Sequence, residues 1–460
     1  MLFSSVTFIY YFLPILLITY FITPRKFRNF VLFSFSILFY FYGEPKYIIV
    51  LLISCIVNYF VGRMIDKDEK NKKIYLTIAI LYNVLQLVYF KYTDFFIENI
   101  NQAFNISIPL LRVIMPIGIS FFTFQTLSYV IDVYNKKVKS SKSLLNFATY
   151  VSLFPQLVAG PIVRYETIEN ELRTRKETIS DFSAGIKLFI IGLGKKVLIA
   201  NVIGAMCASL GELEVASVVG SWLNAIGFTL QIYFDFSGYS DMAIGLGLMM
   251  GFHFLKNFNY PLIASSITDF WRRWHMSLSS FFKDYIYIPL GGSKTTRIKT
   301  YRNILIVWML TGFWHGAAWN FIFWGLYFAI VLIIEKTLLN KFITNSKYLK
   351  YIYTSLIIII SFVIFNTTSM SDLLNTFKDM FFISDIPFIT NETIYYLNSY
   401  FIIIIIAIIG ATPLLKNLMN KIKDYKIYQC IEPIYYLLLL LIITAYLVDS
   451  SFNPFLYFRF

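Results

Sequence analysis

The sequence predicts an all-α polytopic membrane protein, and three observations support this class. Hydrophobic side chains make up 58% of the chain, whereas charged side chains make up only 14%. The mean hydropathy is +0.65, and this composition leaves too few charges to cover a soluble globular protein. Apolar runs long enough to span a bilayer recur from one end of the chain to the other. We therefore expect residues 1–460 to form a single membrane domain.

The basic residues indicate orientation in a membrane rather than binding of nucleic acid. The net charge is +14, but the lysines and arginines lie in short segments between apolar runs. Such basic loops stay on the cytoplasmic side of a membrane. We therefore expect contact with membrane lipid and no nucleic-acid partner.

Alternation between basic and sparsely charged segments predicts the topology of the first and last thirds. The predicted spans cover residues 2–22, 30–42, 47–61, 74–90, 108–133, 352–365, 400–415 and 434–448. The sparsely charged residues 92–107 are expected to lie outside, and residues 366–399 are expected to form a long outer loop. Both termini are predicted to lie outside. The loops predicted to be cytoplasmic contain Lys72, Lys137, Lys341 and Lys421.

The middle third departs from this alternation. Residues 154–165, FPQLVAGPIVRY, place two prolines and a glycine in an apolar stretch too short to cross twice. This pattern predicts a re-entrant or broken helix, which membranes tolerate only where protein or trapped water satisfies the backbone. Residues 183–200 and 218–234 are predicted spans. The side of the membrane occupied between residues 200 and 260 stays open.

One of the three histidines, His315, lies in the apolar stretch TGFWHGAAWNFIFWG, residues 311–325. An imidazole in such sequence is unfavourable unless it is hydrogen-bonded or lines a wet cavity, so His315 is a candidate functional group. The alternative is a core histidine bonded to a neighbouring carbonyl. Gly312 and Gly316 are spaced to let another backbone approach. If the stretch is one helix, His315 shares a face with Trp308, Thr311, Gly312, Ala318, Trp319 and Ile322.

Two carboxylates interrupt the apolar residues 231–247, and Gly238 is expected to break the helix between them. A carboxylate at that depth could orient a histidine, bind a cation or cap a helix. For Asp241 we expect a cap on a helix that begins after Ser240. Asp235 has no such explanation and is a candidate site residue.

Residues 269–294 combine aromatic and basic side chains. As one helix they would place Trp271, Trp274, Leu278 and Phe281 on an apolar side, as in a helix lying in the membrane interface. The cations suit either a phosphate-bearing cytoplasmic ligand or anionic lipid. On the second alternative, His275 is only a polar residue of a surface anchor. The last histidine, His253, has no polar neighbours in sequence and is expected to be structural.

The sequence contains no nucleotide-binding glycine loop, HExxH metal site or GxSxG elbow, so histidine is the candidate base. Neither a metal nor a bound cofactor is expected. Acyl transfer from a thioester to a hydroxyl can proceed with one histidine that takes the hydroxyl proton, given donors for the developing oxyanion.

Five segments follow one another in the order MPIGISFFTFQTLSYVIDVY, YVSLFPQLVAGPIVRY, YFDFSGYSDMAIGLG, WRRWHMSLSSFFKDYIYIPLGG and TGFWHGAAWNFIFWG. Together they resemble the membrane-bound O-acyltransferase family, particularly its bacterial branch of alginate and peptidoglycan O-acetyltransferases. The resemblance implies a ring of transmembrane helices around a central tunnel. It also implies that His315, in WHG, is the essential catalytic histidine and that His275, in WHxSLS, is the second functional position.

The resemblance implies an activity as well. An acetyl group from a cytoplasmic thioester, acetyl-CoA or acyl carrier protein, would reach hydroxyls of an extracytoplasmic cell-envelope polysaccharide, directly or through a partner acetyltransferase. The expected location is the bacterial cytoplasmic membrane. The candidate donor-binding cations are Arg272, Arg273 and Lys283. The candidate substrate- or tunnel-lining residues are Trp274, Trp308, Trp314, Trp319 and Asp235.

Two other functions remain as alternatives. A transporter or flippase could use His315 and Asp235 to relay protons, but such proteins show repeat symmetry and charges over several spans, and this sequence shows neither. A purely structural membrane subunit would not need a basic, tryptophan-rich segment beside a polar core.

Overall fold

The computed structural model describes residues 1–158, 160–339, 343, 345–449 and 455–456, and within them every regular element is a helix. Short π-helical turns interrupt or extend several helices, at Phe8–Phe12, Val88–Tyr92, Lys195–Ala200, Lys283–Tyr287 and Glu335–Leu339. The α-helices are, in chain order, Leu13–Ile22, Arg28–Gly43, Ile48–Lys67, Lys72–Leu87, Thr93–Phe104, Ile119–Tyr134, Leu144–Ser152, Phe154–Leu157, Tyr165–Thr174, Ile179–Gly194, Asn201–Gly211, Val218–Met249, Ile267–Trp271, Met276–Phe282, Arg297–His315, Trp319–Ile334, Leu349–Asn366, Met370–Met380, Asn391–Gly410, Leu414–Ile422 and Lys426–Asp449.

Seven of the described helical runs are long and apolar enough to cross a membrane. They are Ile48–Lys67, Lys72–Phe104, Ile179–Gly211, Trp319–Leu339, Leu349–Asn366, Asn391–Gly410 and Lys426–Asp449. A shorter apolar run covers Phe8–Ile22. The predicted class, an all-α polytopic membrane protein, is confirmed.

The chain divides into two compact units. The first comprises Met1–Phe189 and Tyr239–Leu255, and the second comprises Ile190–Gly238 and Lys256–Phe460. Both histidines of the resemblance, His275 and His315, belong to the second unit. The single domain and the sidedness of the loops stay predictions, and Lys341 lies outside the described residues.

The helical run that contains the predicted span 74–90 continues to Phe104, through most of the segment expected outside. Asp94, Glu98 and Asn101 recur at four- and three-residue spacing, so the polar residues share one side of a helix. The expected outer loop at 366–399 likewise contains the helix Met370–Met380. Ser369 caps this helix by accepting a hydrogen bond from the backbone N–H of Asp372.

Gly238 does not break a helix, and Asp241 does not cap one, because Val218–Met249 is continuous through both positions. The glycine has another role in the second unit. A Cβ atom at Gly238 would lie 2.7 Å from the carbonyl oxygen of Gly192, so a larger residue would separate the two backbones. Close backbone approach, and not a turn, explains this glycine.

The predicted break at residues 154–165 is confirmed in the first unit. A four-residue helix, Phe154–Leu157, is followed by non-helical backbone at residues 158 and 160–164, of which 158 and 160–163 are buried. Protein groups satisfy part of this backbone. The N–H of Phe154 donates to Ser36 Oγ at 3.2 Å, and the Tyr150 hydroxyl donates to the carbonyl of Val163 at 3.1 Å.

Candidate active site

His315 ends a helix. The helix Arg297–His315 begins at Thr296, whose hydroxyl oxygen accepts from the N–H of Lys299, and it stops because Gly316 is fully extended. A new helix starts at Trp319. The expectation of one helix through residues 311–325 is therefore wrong, and Ala318 and Trp319 do not share a helical face with His315. The small residues that follow His315 fit this break, since a Cβ at Gly316 would lie 2.1 Å from the Phe321 ring.

Two glycines bring these consecutive helices into backbone contact. A Cβ at Gly312 would lie 2.3 Å from the carbonyl oxygen of Phe321, and a Cβ at Gly325 would lie 2.3 Å from that of Trp308. The predicted close approach at Gly312 is thus confirmed. It fixes the end of the first helix, and with it His315, against the second helix.

Aromatic rings enclose His315, whose exposed fraction is 7%. Its ring centroid lies 4.9 Å from that of Trp324 and 5.4 Å from that of Phe365, both nearly perpendicular. It lies 5.0 Å from the ring of Trp314. Trp319, in contrast, is 54% exposed. Sequence spacing predicted that Trp319 would neighbour His315. Because the helix breaks after His315, Trp324 lies beside it instead.

His275 lies between two short helices, Ile267–Trp271 and Met276–Phe282. Its φ of 44° is left-handed, which ends any continuous helix there and corrects the single helix expected from residue 269. The side chain is completely buried, so it is not a polar residue of a surface anchor. Burial lowers the pKa of His275 to about 3, and the imidazole is therefore neutral at physiological pH.

The structure brings the two predicted histidines to one indole. The ring of Trp314 lies 6.0 Å from that of His275 and 5.0 Å from that of His315. Trp314 is itself 4% exposed. The two buried imidazoles and the shared indole form the candidate active site.

A cavity of about 750 Å³ lies in the same unit and carries the predicted cations Arg272 and Lys283. Lys336 and Lys350 add two further positive charges to its lining. Neither lysine was a candidate site residue in the sequence analysis. The other polar lining residues are Ser265, Ser266, Thr268, Ser279, Tyr287 and Glu335.

Indole rings connect this cavity, hereafter the basic cavity, to His315. Trp308 lines the cavity and lies 6.3 Å from Trp324, whose ring in turn contacts His315. Trp271 lies 4.5 Å from Trp308 and 5.7 Å from Trp324. Trp271, Trp308 and Trp324, hereafter the tryptophan wall, therefore lie between the basic cavity and His315.

Arg273 is not among the residues that line the basic cavity. Its Nε donates to Asp269 Oδ1 at 2.9 Å, within the same short helical segment. The structure thus places two of the three predicted donor-binding cations in the cavity and the third in a local ion pair.

Glu335 organises one edge of the basic cavity and was missed in the sequence. Its buried carboxylate accepts hydrogen bonds from the N–H groups of Ile267 at 2.6 Å and Thr268 at 3.1 Å. The Thr268 hydroxyl also donates to it, at 3.1 Å. These bonds satisfy the first N–H groups of the helix whose last residue precedes Arg272.

Asp235 has a partner that sequence reasoning also missed. Lys196 Nζ lies 2.5 Å from Asp235 Oδ1, and both side chains are 2% exposed. The backbone N–H of Leu456 donates to Asp235 Oδ2 at 2.7 Å. A proposed role of Asp235 at the substrate site stays a prediction, whereas its ion pair with Lys196 is a structural fact.

His253 has polar neighbours in the fold, although the sequence around it suggested none. In the first unit its Nδ1 lies 2.7 Å from Glu171 Oε1, and its Nε2 lies 3.7 Å from Asp181 Oδ1. The hydrogen bond with Glu171 is the main cause of a raised pKa for His253. Glu171 and Asp181 are distant from His253 in sequence, so no local sequence pattern could have predicted these contacts.

A second cavity, of about 280 Å³, lies in the second unit, and we call it the hydroxyl cavity. Phe362 lines it and contacts the ring of Trp274 at 5.3 Å. Phe365, on the same helix, contacts His315. Its polar lining residues are Ser217, Ser221, Asn224, Asn366, Thr367, Thr376 and Asp379.

The fold and the site together define a multi-pass membrane protein with two buried histidines beside one indole. Ionisable residues buried in a membrane protein usually mark a functional site. Comparison with known families then identifies it further. The model of MBOAT, the membrane-bound O-acyltransferase family, matches residues 37–371. The chain belongs to this family and is an O-acyltransferase. Both site histidines lie within the matched residues.

Several curated proteins are similar to the chain. It is 37% identical over 393 residues to the probable alginate O-acetylase AlgI of Azotobacter vinelandii, covering 84% of this chain and 79% of that protein. It is 36% identical over 420 residues to the peptidoglycan O-acetyltransferase of Helicobacter pylori, covering 83% and 80%. The teichoic acid D-alanyltransferase of Bacillus subtilis is 32% identical over 228 residues, covering 47% and 58%.

Proposed function

We propose that this protein moves an acetyl group from a cytoplasmic thioester to hydroxyls of an extracytoplasmic cell-envelope polysaccharide. The transfer is direct or passes through a partner acetyltransferase, and the protein lies in the bacterial cytoplasmic membrane. The similarity to proteins named for acetylation of alginate and peptidoglycan supports this substrate class. The apolar helices suit a membrane protein, and the tunnel that the family resemblance implies would suit transfer across the membrane.

The observation that carries the donor assignment is the basic cavity and its tryptophan wall. Arg272, Lys283, Lys336 and Lys350 provide four positive charges against the single carboxylate of Glu335 among the described lining residues. Phosphate groups occur in both acetyl-CoA and the prosthetic arm of acyl carrier protein. Arginine and lysine bind such groups through charge-assisted hydrogen bonds. The three tryptophans lie between this candidate phosphate site and His315.

In this proposal His315 is the general base. It takes the proton of the acceptor hydroxyl as the oxygen attacks the thioester carbonyl carbon. The C–S bond breaks, the thiolate leaves, and the proton returns from the imidazolium to sulfur. Hydrogen-bond donors near the carbonyl would stabilise the negative charge that develops on its oxygen.

Indole N–H groups are the candidate donors for that oxyanion. The Nε1 atoms of Trp271 and Trp324 are buried and have no hydrogen-bond partner in the part of the chain that the structure describes. A buried donor without a partner is unfavourable, so a bound ligand would relieve it. Trp324 also contacts the His315 ring, which places one such donor beside the base.

The hydroxyl cavity is the proposed acceptor side. Its serine, threonine, asparagine and aspartate side chains match the hydrogen-bonding groups of a sugar. Phe362 lines this cavity, and Phe365 on the same helix contacts His315. A proton-relay transporter is less well supported. Asp235 is ion-paired with Lys196, whereas aromatic rings surround His315.

Purified protein tests the proposal when it is offered acetyl-CoA or acetylated acyl carrier protein, each labelled in the acetyl group. Polysaccharide from the envelope of the same cells is the acceptor. We expect label to appear on the polysaccharide, with release of a free thiol, from one of the two donors. The periplasmic fraction is added in parallel to supply a partner acetyltransferase. Absence of transfer from both donors, with and without that fraction, would contradict the proposal.

A further inference from the structure

We propose that Asn257 is a positioning residue that fixes His275 in the tautomer with the proton on Nδ1, so that Nε2 accepts a hydrogen bond from an O–H or N–H group of the bound substrate. The inference rests on the proposed function for its catalytic meaning. Its structural basis is a cluster of hydrogen bonds around one amide oxygen in the second unit.

The orientation of the Asn257 amide follows from a backbone donor. The N–H of Ser277 lies 3.1 Å from Asn257 Oδ1, and the Ser277 hydroxyl donates to the same oxygen at 2.9 Å. A backbone N–H can only donate, so the atom that faces it must be the amide oxygen. The opposite orientation would bring the amide nitrogen, also a donor, against the N–H of Ser277.

The tautomer of His275 follows from that orientation. His275 Nδ1 lies 3.2 Å from Asn257 Oδ1. Because this oxygen can only accept, Nδ1 must carry the proton. A neutral imidazole has a single ring proton, so Nε2 presents a lone pair.

The Nε2 atom of His275 is in a position to receive a ligand. It is buried and has no hydrogen-bond partner among residues within the described ranges. The rings of Phe236, at 4.7 Å and 84°, and Trp314, at 6.0 Å, hold the plane of the imidazole. A buried acceptor without a partner, beside the indole that also contacts His315, is what a substrate donor group would satisfy.

Backbone contacts keep Asn257 in place. Its carbonyl accepts from the N–H of Met276 at 2.9 Å, and two residues later the N–H of Asn259 donates to the carbonyl of Arg273, also at 2.9 Å. The segment around Asn257 therefore runs beside the bend that contains His275. That bend needs support, because a left-handed backbone is unfavourable for a residue other than glycine.

The choice of an amide over a carboxylate has a chemical consequence. An aspartate at position 257 could accept the same hydrogen bonds, but its negative charge would stabilise the imidazolium form. The neutral amide orients the ring without doing so. His275 then keeps its lone pair on Nε2 at physiological pH.

Nitrogen NMR of protein labelled with ¹⁵N-histidine tests the tautomer directly, because the chain has only three histidines. His275→Gln identifies the His275 signals by their loss. In the wild type without donor, we expect a protonated Nδ1 and an unprotonated Nε2 for His275. A proton on Nε2 would overturn the proposal, and this spectrum does not depend on the proposed reaction.

Variants of Asn257 test the positioning. Asn257→Asp should raise the pKa of His275 by roughly three units, because the new carboxylate would lie beside Nδ1, and Asn257→Leu should abolish the single tautomer. Asn83→Leu is the matched control. Asn83 is equally buried, and its amide bonds Asn58 and the Ala79 carbonyl. Replacement of Asn83 by leucine should leave the His275 signals unchanged.

The acyl-transfer assay provides the functional readout. Below its raised pKa, His275 in Asn257→Asp would carry protons on both nitrogens and could not accept at Nε2. The acidic limb of the pH–rate profile should therefore move to higher pH relative to the wild type. An unmoved limb together with unchanged His275 signals in Asn257→Asp would refute the positioning role, even if Asn257→Leu fails to fold. Wild-type transfer activity separately reports on the proposed function.

Discussion

Neighbouring arginines that the structure assigns to different surroundings provide a sharp test of the basic cavity. Arg272 lines the cavity, whereas Arg273 pairs with Asp269. Loss of a hydrogen bond between charged groups weakens binding by about 1.5 to 3 kcal/mol. At 1.4 kcal/mol for each factor of ten, Arg272→Ala should raise the apparent donor KM roughly 10- to 150-fold, with little change in kcat.

Arg273→Ala is the matched control because it removes the same charge one residue away. Its ion pair with Asp269 joins partly exposed side chains four residues apart, a type of contact worth only about 0.3 to 0.5 kcal/mol. The donor KM should therefore stay within a few-fold of the wild type. Steady-state kinetics with varied donor concentration measure both variants. If Arg273→Ala raised the KM as much as Arg272→Ala, or if Arg272→Ala lowered only kcat, the cavity would not be the phosphate site.

Three further predictions concern the fold. Gly312→Ala should destabilise the protein by roughly 1–3 kcal/mol through overpacking. The control Gly194→Ala, whose Cβ would meet nothing closer than 3.6 Å, should unfold near the wild-type temperature in detergent. Equal unfolding temperatures for the two variants would contradict the close approach of the two helices at Gly312. The raised pKa of His253 means that its bond with Glu171 stabilises fully below the unfolded histidine pKa of about 6.5 and is lost as pH rises through the folded value. The difference in unfolding temperature between wild type and Glu171→Gln should therefore shrink with rising pH, and a constant difference would exclude this linkage. An impermeant thiol reagent applied to whole cells should label Asn391→Cys and spare Asn71→Cys, since basic loops face the cytoplasm; the reverse pattern would invert the topology.

The features predictable from sequence were those that violate the composition around them. Ionisable side chains are energetically unfavourable in an apolar chain, so their presence alone indicates a candidate site. His315, His275, Arg272 and Lys283 are such residues. The break at residues 154–165 was likewise visible, because proline and glycine restrict the backbone locally. These signals need no knowledge of which segments meet.

The remaining features depend on contacts between distant segments or on tertiary override of a local pattern. Asn257 looks like any loop asparagine until its oxygen is seen beside His275. Lys196 lies in an apolar run and acquires meaning only from Asp235. Continuous apolar sequence does not reveal where a helix stops. Sequence spacing therefore placed Trp319 beside His315, whereas the structure places Trp324 there.

Activity of His315→Ala tests the central claim most directly. A positioned general base contributes about 10²- to 10⁴-fold to the rate. If His315 only packed against the aromatic rings, its removal would reduce activity in proportion to the lost folded protein. We expect the variant to insert in the membrane, unfold within a few degrees of the wild type and bind donor. Acetyl transfer should fall at least about 100-fold, while His253→Ala should keep most activity. Retention of more than about a tenth of wild-type transfer by folded His315→Ala would contradict the assignment of this histidine as the base.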